Sequence, residues 1–261
     1  MNNHQALQRQ TWVLDPPMDF SRPYALADYD DTRIRHIMFK YLDRGKNLAR
    51  AWTRICHHFP ETIQPDQPLS CLEFGTGHGA MLEIWRAFGH ETLGTDFPWR
   101  ANREVVLRPT RPWHHNALEA VTEISHGGAL AEKVKGWAYQ PIIESLGLDV
   151  RLMDGRDWPY PFEDKSFDIV CCYQAVDAFA EPEKWTEVVA EFCRIARRAV
   201  VVGYNPLPVY EADQPHRQDA ARAAWLALSR FSAHGLATTF TEFGTTRRGL
   251  HPVAMKFLPS P

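Results

Sequence analysis

Leu72-Glu73-Phe74-Gly75-Thr76-Gly77-His78-Gly79-Ala80 reads as a strand that runs into a glycine turn and then a helix. The apolar run Leu69–Phe74 is the strand. Glycines are needed where the backbone turns tightly and approaches a ligand, because a Cβ there would collide. The helix, Ala80–Phe88, sets Met81, Trp85 and Phe88 in helical register and is closed by Gly89. Outward from this stretch, short apolar runs alternate with helical ones. Strands are expected at Glu91–Thr95, Asp149–Met153, Phe167–Tyr173 and Ala199–Gly203. Helices are expected from Pro182, well placed in a first turn, through Phe192, and over Ala220–Phe231. Leu236–Glu242 and Pro252–Leu258 form a closing hairpin. The alternation signals an α/β fold with a mostly parallel sheet of seven strands flanked by helices.

The turn is built for an anionic group, since the following helix directs free N–H groups and a partial positive charge at it. Seventeen residues after Gly79, Asp96 ends the second strand, where a carboxylate can accept hydrogen bonds from ribose hydroxyls. Gly75, Gly77 and Ala80 also satisfy the GxGxxG/A pattern of dinucleotide binders. Charge separates the two ligands. A pyrophosphate beside Glu73 would be repelled, whereas S-adenosylmethionine carries a sulfonium and an ammonium against one carboxylate. Glu73, Asp96 and Asp154 together favour the methyl donor.

The sequence resembles the class I S-adenosylmethionine-dependent methyltransferase superfamily, and within it the small-molecule branch that includes ubiquinone-biosynthesis enzymes. Glu73-Phe74-Gly75-Thr76-Gly77-His78-Gly79 matches the family's E/D-x-G-x-G-x-G motif. Asp96 matches its ribose-binding acid, and Asp154-Gly155 the pair after the third strand that reads adenine. Pro161-Phe162-Glu163-Asp164-Lys165-Ser166-Phe167-Asp168 matches the PF-x-D-x-SFD lead into the fourth strand. The resemblance covers roughly residues 69–205, with four motifs in the family's order. It implies a Rossmann-like fold and S-adenosyl-L-methionine as cofactor, held by Glu73, Phe74, Gly75, Thr76, Gly77, Gly79, Asp96, Phe97, Asp154 and Gly155. Tyr173 and Gln174 follow the fourth strand, where this fold presents residues toward the reacting methyl. Two departures stand out. The family's Lys-Pro-Gly-Gly turn before the fifth strand is replaced by Ala196-Arg197-Arg198-Ala199, read as a peripheral turn. Residues 97–148 form an insertion longer than a crossover needs, rich in Trp99, Trp113, His126 and Trp137.

Methyl transfer to oxygen calls for a base near working pH, and His114, His115 and Asp177 are the candidates. A nitrogen or sulfur acceptor needs only positioning. Cys56-His57-His58 lacks metal-ligand spacing, and no acids cluster after the fourth strand, so no metal is expected. His78 reads as a loop side chain beside the cofactor, and the Arg197-Arg198 and Arg247-Arg248 pairs as solvated charge. A dinucleotide-dependent oxidoreductase and a catalytically silent methyltransferase-like binder stay open at this point.

A chain of 261 residues, 44% hydrophobic and 23% charged, can bury one large core, and no low-complexity linker divides it. It is read as one domain: residues 1–68 as an N-terminal arm and helices, 69–205 as the cofactor-binding core, 206–261 as a helix and closing hairpin. Residues 1–30 form an extended arm, followed by helices from Asp31 and over Asn47–Phe59, which Pro60 stops. A net charge of -3 and a pI near 6.5 argue against a nucleic-acid partner. The first ten residues lack an apolar core, no uncharged run reaches the roughly 18 residues of a membrane span, and five cysteines without CxxC spacing read as reduced thiols. A cytoplasmic protein acting on a small-molecule acceptor is the expectation.

Overall fold

The computed structural model describes residues 14–29, 41–96, 139–205, 215–246 and 249–260. The expected helix from Asp31, Phe97, most of the 97–148 insertion with His114 and His115, and the Arg247-Arg248 pair lie outside them. The chain divides into two compact units, one of residues 1–68, 77–92 and 98–150, the other of 69–76, 93–97 and 151–261.

In the first unit, helix α1 (Arg44–His58) starts where Asp43 caps the Lys46 N–H at 3.0 Å. Pro60 opens a short 3-10 turn behind it, which is why α1 ends at His58. Leu48, Trp52, Ile55 and Phe59 are fully buried, as their spacing demands. Helix α2 (Ala80–Ala87) lies against α1 through Phe59 and Trp85, edge to face at 5.3 Å, and the Trp85 indole donates to Thr62 Oγ1 at 3.1 Å. Arg44 and Glu83, both buried, form an ion pair here. The same guanidinium donates to the Arg22 carbonyl at 2.8 Å, and Asn47 donates to the Tyr24 hydroxyl at 3.0 Å, so the segment around residues 19–24 is tied to α1. Helix α3 (Gln140–Leu146), within the expected insertion, ends at left-handed Gly147, whose carbonyl accepts from Arg86 at 2.8 Å.

The second unit is organised on a sheet of eight strands, in the order β3-β2-β1-β4-β5-β8-β7-β6. The strands are β1 (Ser70–Phe74), β2 (Glu91–Asp96), β3 (Val150–Leu152), β4 (Phe167–Tyr173), β5 (Ala196–Gly203), β6 (Ser232–Ala233), β7 (Leu236–Thr246) and β8 (Gly249–Pro259). β1, β4 and β5 run parallel, and β5, β8, β7 and β6 are antiparallel. The seven expected strands are all present. The eighth, β6, is two residues long and joins β7 through His234-Gly235, both with positive φ (50° and 79°), the requirement of a tight hairpin. Helix α4 is the single turn Val176–Phe179, α5 is Trp185–Ile195, preceded by the 3-10 turn Pro182–Lys184, and α6 is Pro215–Leu228. Leu72, Phe74, Val170, Val188, Phe192, Val200 and Phe257 belong to one buried core.

One expectation about β5 is corrected. Ala196-Arg197-Arg198 is not a turn before the strand but its first three residues, and the two arginines are not simply solvated. Arg197 donates to Asp168 Oδ1 at 3.0 Å and Ser70 Oγ at 2.8 Å, and Arg198 Nε lies 3.2 Å from Asp168. Chain-local reasoning reads adjacent arginines as surface charge. Only parallel pairing of β1, β4 and β5 brings their acceptors alongside.

Candidate functional site

Parallel register sets the carboxyl ends of three strands level: Phe74 is opposite Cys172, Cys172 opposite Val202, and Tyr173 opposite Gly203. Ligands of open α/β sheets bind beyond such ends. The turn after β1 leaves from here with Gly75, Gly77 and Gly79 at φ +69°, +56° and +71°, the left-handed region that favours glycine. Its base is pinned to β2. The Gly75 and Thr76 amides donate to the Thr95 carbonyl at 2.9 and 3.0 Å, and the Thr76 hydroxyl donates to the carbonyls of Glu73 (3.0 Å) and Thr95 (3.2 Å). The Thr76 side chain therefore shapes the turn from inside. The Phe74 ring is likewise internal, 4.7 Å from both Tyr160 and Phe192; at 2% exposure, only its backbone faces outward chemistry.

Gly75 and Gly77 differ in a way the motif conceals. A Cβ on Gly75 would lie 2.3 Å from the Ala175 Cβ, whereas a Cβ on Gly77 would meet nothing within 4 Å among the described residues. Three acids surround this sheet end. Glu73 is buried on β1, Asp96 ends β2 with its carbonyl accepting from Met153 N–H at 2.9 Å, and Asp154 follows β3. Burial opposes ionisation of Asp154, yet hydrogen bonds from the Arg156 side chain and amide, at 2.5–3.0 Å, outweigh it and hold the carboxyl below its usual range. Gly155 is fixed next to it, its carbonyl accepting from the buried Tyr160 hydroxyl at 2.9 Å. The Cys172 thiol, at the end of β4, is pushed well up by burial first and then by the fields of Asp177 and Glu73.

After β4 the chain turns sharply. The Tyr173 ring, largely buried, lies over Gly203, where a Cβ would come within 2.3 Å of it. Gln174 is exposed and takes φ +56°, with its amide bound to the Gly203 carbonyl at 2.8 Å. Asp177, in α4, accepts from Asn205 Nδ2 at 2.9 and 3.1 Å, and the same amide donates to the Gln174 carbonyl at 3.2 Å. Asn205 carries no sequence signal, because its partners stand 28 and 31 positions away.

The expected residues Glu73, Phe74, Gly75, Thr76, Asp96, Asp154, Gly155, Tyr173, Gln174 and Asp177 all belong to the second unit, and Gly77 and Gly79 continue its turn. Among the described residues, no three His, Cys, Asp or Glu side chains are grouped to hold a metal. His78 accepts from the Ala80 amide at 3.3 Å, and its ring lies 5.3 Å from that of Tyr41. No described helix is long and apolar enough to cross a membrane.

Residues 35–246 match a family described as a methyltransferase domain. Among curated proteins no relative matches the sequence. Similar solved structures include magnesium protoporphyrin IX methyltransferase from Synechocystis PCC 6803. Its S-adenosylhomocysteine-bound form shares 11% identity over 83% of this chain and 85% of that one, with a TM-score of 0.46. Its S-adenosylmethionine-bound form shares 14% over 90% and 99%, with a TM-score of 0.44. Phosphoethanolamine N-methyltransferase 2 from Haemonchus contortus, in complex with phosphomonomethylethanolamine and S-adenosylhomocysteine, shares 14% over 74% of this chain and 39% of that one, with a TM-score of 0.38. The family match, which spans most of the chain, removes the oxidoreductase alternative. The chain belongs to the methyltransferase-domain family and is a class I S-adenosylmethionine-dependent methyltransferase.

Proposed function

We propose that this enzyme methylates a small molecule, at oxygen or nitrogen, by in-line transfer at the carboxyl ends of β1 and β4. The observation that carries the reading is the turn after β1, left-handed at Gly75 and pinned to β2, with Glu73, Asp96 and Asp154 at the ends of neighbouring strands. Bound S-adenosylmethionine supplies an activated methyl group on sulfur. The chain's own part is to hold it. The turn from Gly75 to Gly79, with the N-terminus of α2, takes the carboxylate of the methionine moiety. Glu73 balances its positive charge. Asp96, with Phe97, takes the ribose, and Asp154-Gly155 the adenine. Tyr173 and Gln174 stand toward the reacting methyl.

Orientation of acceptor and donor is worth roughly 7–11 kcal/mol in such reactions, so positioning is the larger part of the work. For an oxygen acceptor, Asp177 is the base candidate among the described residues, held in one orientation by Asn205. His114 and His115 are the candidates in the 97–148 insertion, whose aromatic residues would shield the reaction from water. The motif resemblance to the ubiquinone-biosynthesis branch supports a small acceptor, and net charge -3 does not favour a nucleic acid.

Titration calorimetry with S-adenosylhomocysteine, NAD and NADP, on the wild type and Asp96→Ala, tests the cofactor reading. The wild type binds S-adenosylhomocysteine and neither dinucleotide. Asp96→Ala weakens that binding about ten- to a hundredfold, the loss of charged hydrogen bonds worth about 1.5–3 kcal/mol. An unchanged affinity in Asp96→Ala would remove Asp96 from the site.

A further inference from the structure

One short segment touches both glycine positions of the cofactor cradle. It runs from Gln174 to Phe179, directly after β4. Its Ala175 Cβ lies 2.3 Å from where a Cβ on Gly75 would be, and its Phe179 ring lies 2.8–3.1 Å from where a Cβ on Gly155 would be. Gly75 follows β1 and Gly155 follows β3, so the segment spans the cradle from its turn to its adenine side. It is held firmly. The Gln174 amide is bound to Gly203, Val176 is fully buried in the core, the Ala180 amide donates to Val176 at 2.9 Å, and the Ala180 carbonyl accepts from the Trp185 indole at 3.1 Å.

Gly155 differs from Gly75 in having no positive φ to explain its lack of a side chain. Among the described residues the three atoms nearest to a Cβ there all belong to the Phe179 ring, and the closest is Cγ, which cannot swing aside as a chain terminus would. The Tyr160 hydroxyl also donates to the Gly155 carbonyl at 2.9 Å. The backbone after Asp154 is thus held by two aromatic side chains.

We infer that Phe179 is a positioning residue: its ring, packed on the Gly155 backbone, sets where Asp154-Gly155 stands to receive the adenosine part of the cofactor. Gly155 is glycine to admit this ring rather than to admit the ligand. The inference rests on the cofactor reading proposed above. Because the same segment carries Asp177, the adenosine side and the acceptor side share one rigid support.

The test is S-adenosylhomocysteine and adenosine affinity by calorimetry, with ligand-free melting points, on wild type, Gly155→Ala, Phe179→Leu and the double variant. Titrations are run well below every melting point, where global destabilisation leaves Kd unmoved. Gly155→Ala is expected to weaken both ligands at least tenfold and lower the ligand-free melting point. Phe179→Leu weakens both about threefold or more. In the Phe179→Leu background, adding Gly155→Ala costs less than threefold, and the melting point lost by Gly155→Ala alone is largely recovered. If Gly155→Ala costs the same tenfold with the ring absent, its Cβ meets the ligand and the inference is overturned. Wild-type affinity in Phe179→Leu overturns it equally. A folded wild type that binds neither ligand overturns the cofactor reading itself, an outcome that no variant is needed to recognise.

Discussion

Gly77 and Gly75 occupy equivalent places in the motif and have different neighbours. Gly77 is at φ +56° with no atom of the described residues within 4 Å of a notional Cβ, so among them Gly77→Ala meets the strain of a left-handed L-residue, about 1 kcal/mol. The variant is expected to melt only a few degrees lower. Its S-adenosylhomocysteine affinity is expected to fall at least tenfold, because the new methyl stands where the ligand approaches. Paired melting and calorimetry measurements check this; retained affinity would move the ligand away from Gly77. The motif made these glycines visible in the sequence. It did not reveal that Phe74 and Thr76 turn their side chains inward, or that Asn205 and Phe179 belong to the site. Those facts depend on groups that are distant in the chain, and no local pattern encodes them.

Among the elements, β1, β4 and β5 are stitched at their amino ends, away from the site. Ser70 Oγ accepts from the Asp168 amide at 2.9 Å and from Arg197 at 2.8 Å, while the Asp168 carboxylate accepts from the Ser70 amide and Arg197, both at 3.0 Å. Burial opposes ionisation of Asp168, but the hydrogen bonds of Arg197 and Ser70 and the nearby guanidinium charge outweigh it and hold the carboxyl below its usual range. A carboxyl lowered in the folded state stabilises at pH values above its unfolded pKa of about 3.9, and that contribution is lost as pH falls through the folded value. Arg197→Ala is therefore expected to destabilise by about 1 kcal/mol at pH 7, a figure reduced for the half-exposed guanidinium. The difference from wild type should be full at pH 7 and shrink as pH falls below about 4. Urea unfolding at pH 7 and at pH 3 measures it, and a pH-independent difference would assign the loss to packing alone. The expected boundaries of β1, β4, α2 and the β7–β8 hairpin agree with the structure to within a few residues, since each carries its own periodicity. β5 starts three residues earlier than expected because Ala196 pairs with Phe167 of β4, with Arg197 and Arg198 in an irregularity of register before Ala199 pairs with Ile169. β6 escapes notice because two residues are too short to show a period.

For the whole molecule, a ligand that binds only the folded chain raises its melting point by mass action. S-adenosylhomocysteine at a hundred times its Kd adds about 2.7 kcal/mol, a rise of roughly 5–10 °C for a protein of this size. NAD at the same concentration should leave the melting curve in place, and differential scanning fluorimetry distinguishes the two. The sequence by itself determined the α/β class, the strand-turn-helix at Gly75–Ala80, the acids at the ends of β2 and β3, and the family that the match over residues 35–246 establishes. Those features are written in local spacing and periodicity, which a single segment expresses without its neighbours. Only the tertiary structure decided that Gly75 is closed off by Ala175, which side chains of the motif face the core, and that Ala175, Phe179, Asn205 and Arg197 support the rest. Each of these is a matter of a few ångströms between strands far apart in the chain. Close packing sets those distances, and one missing or added Cβ is enough to change them.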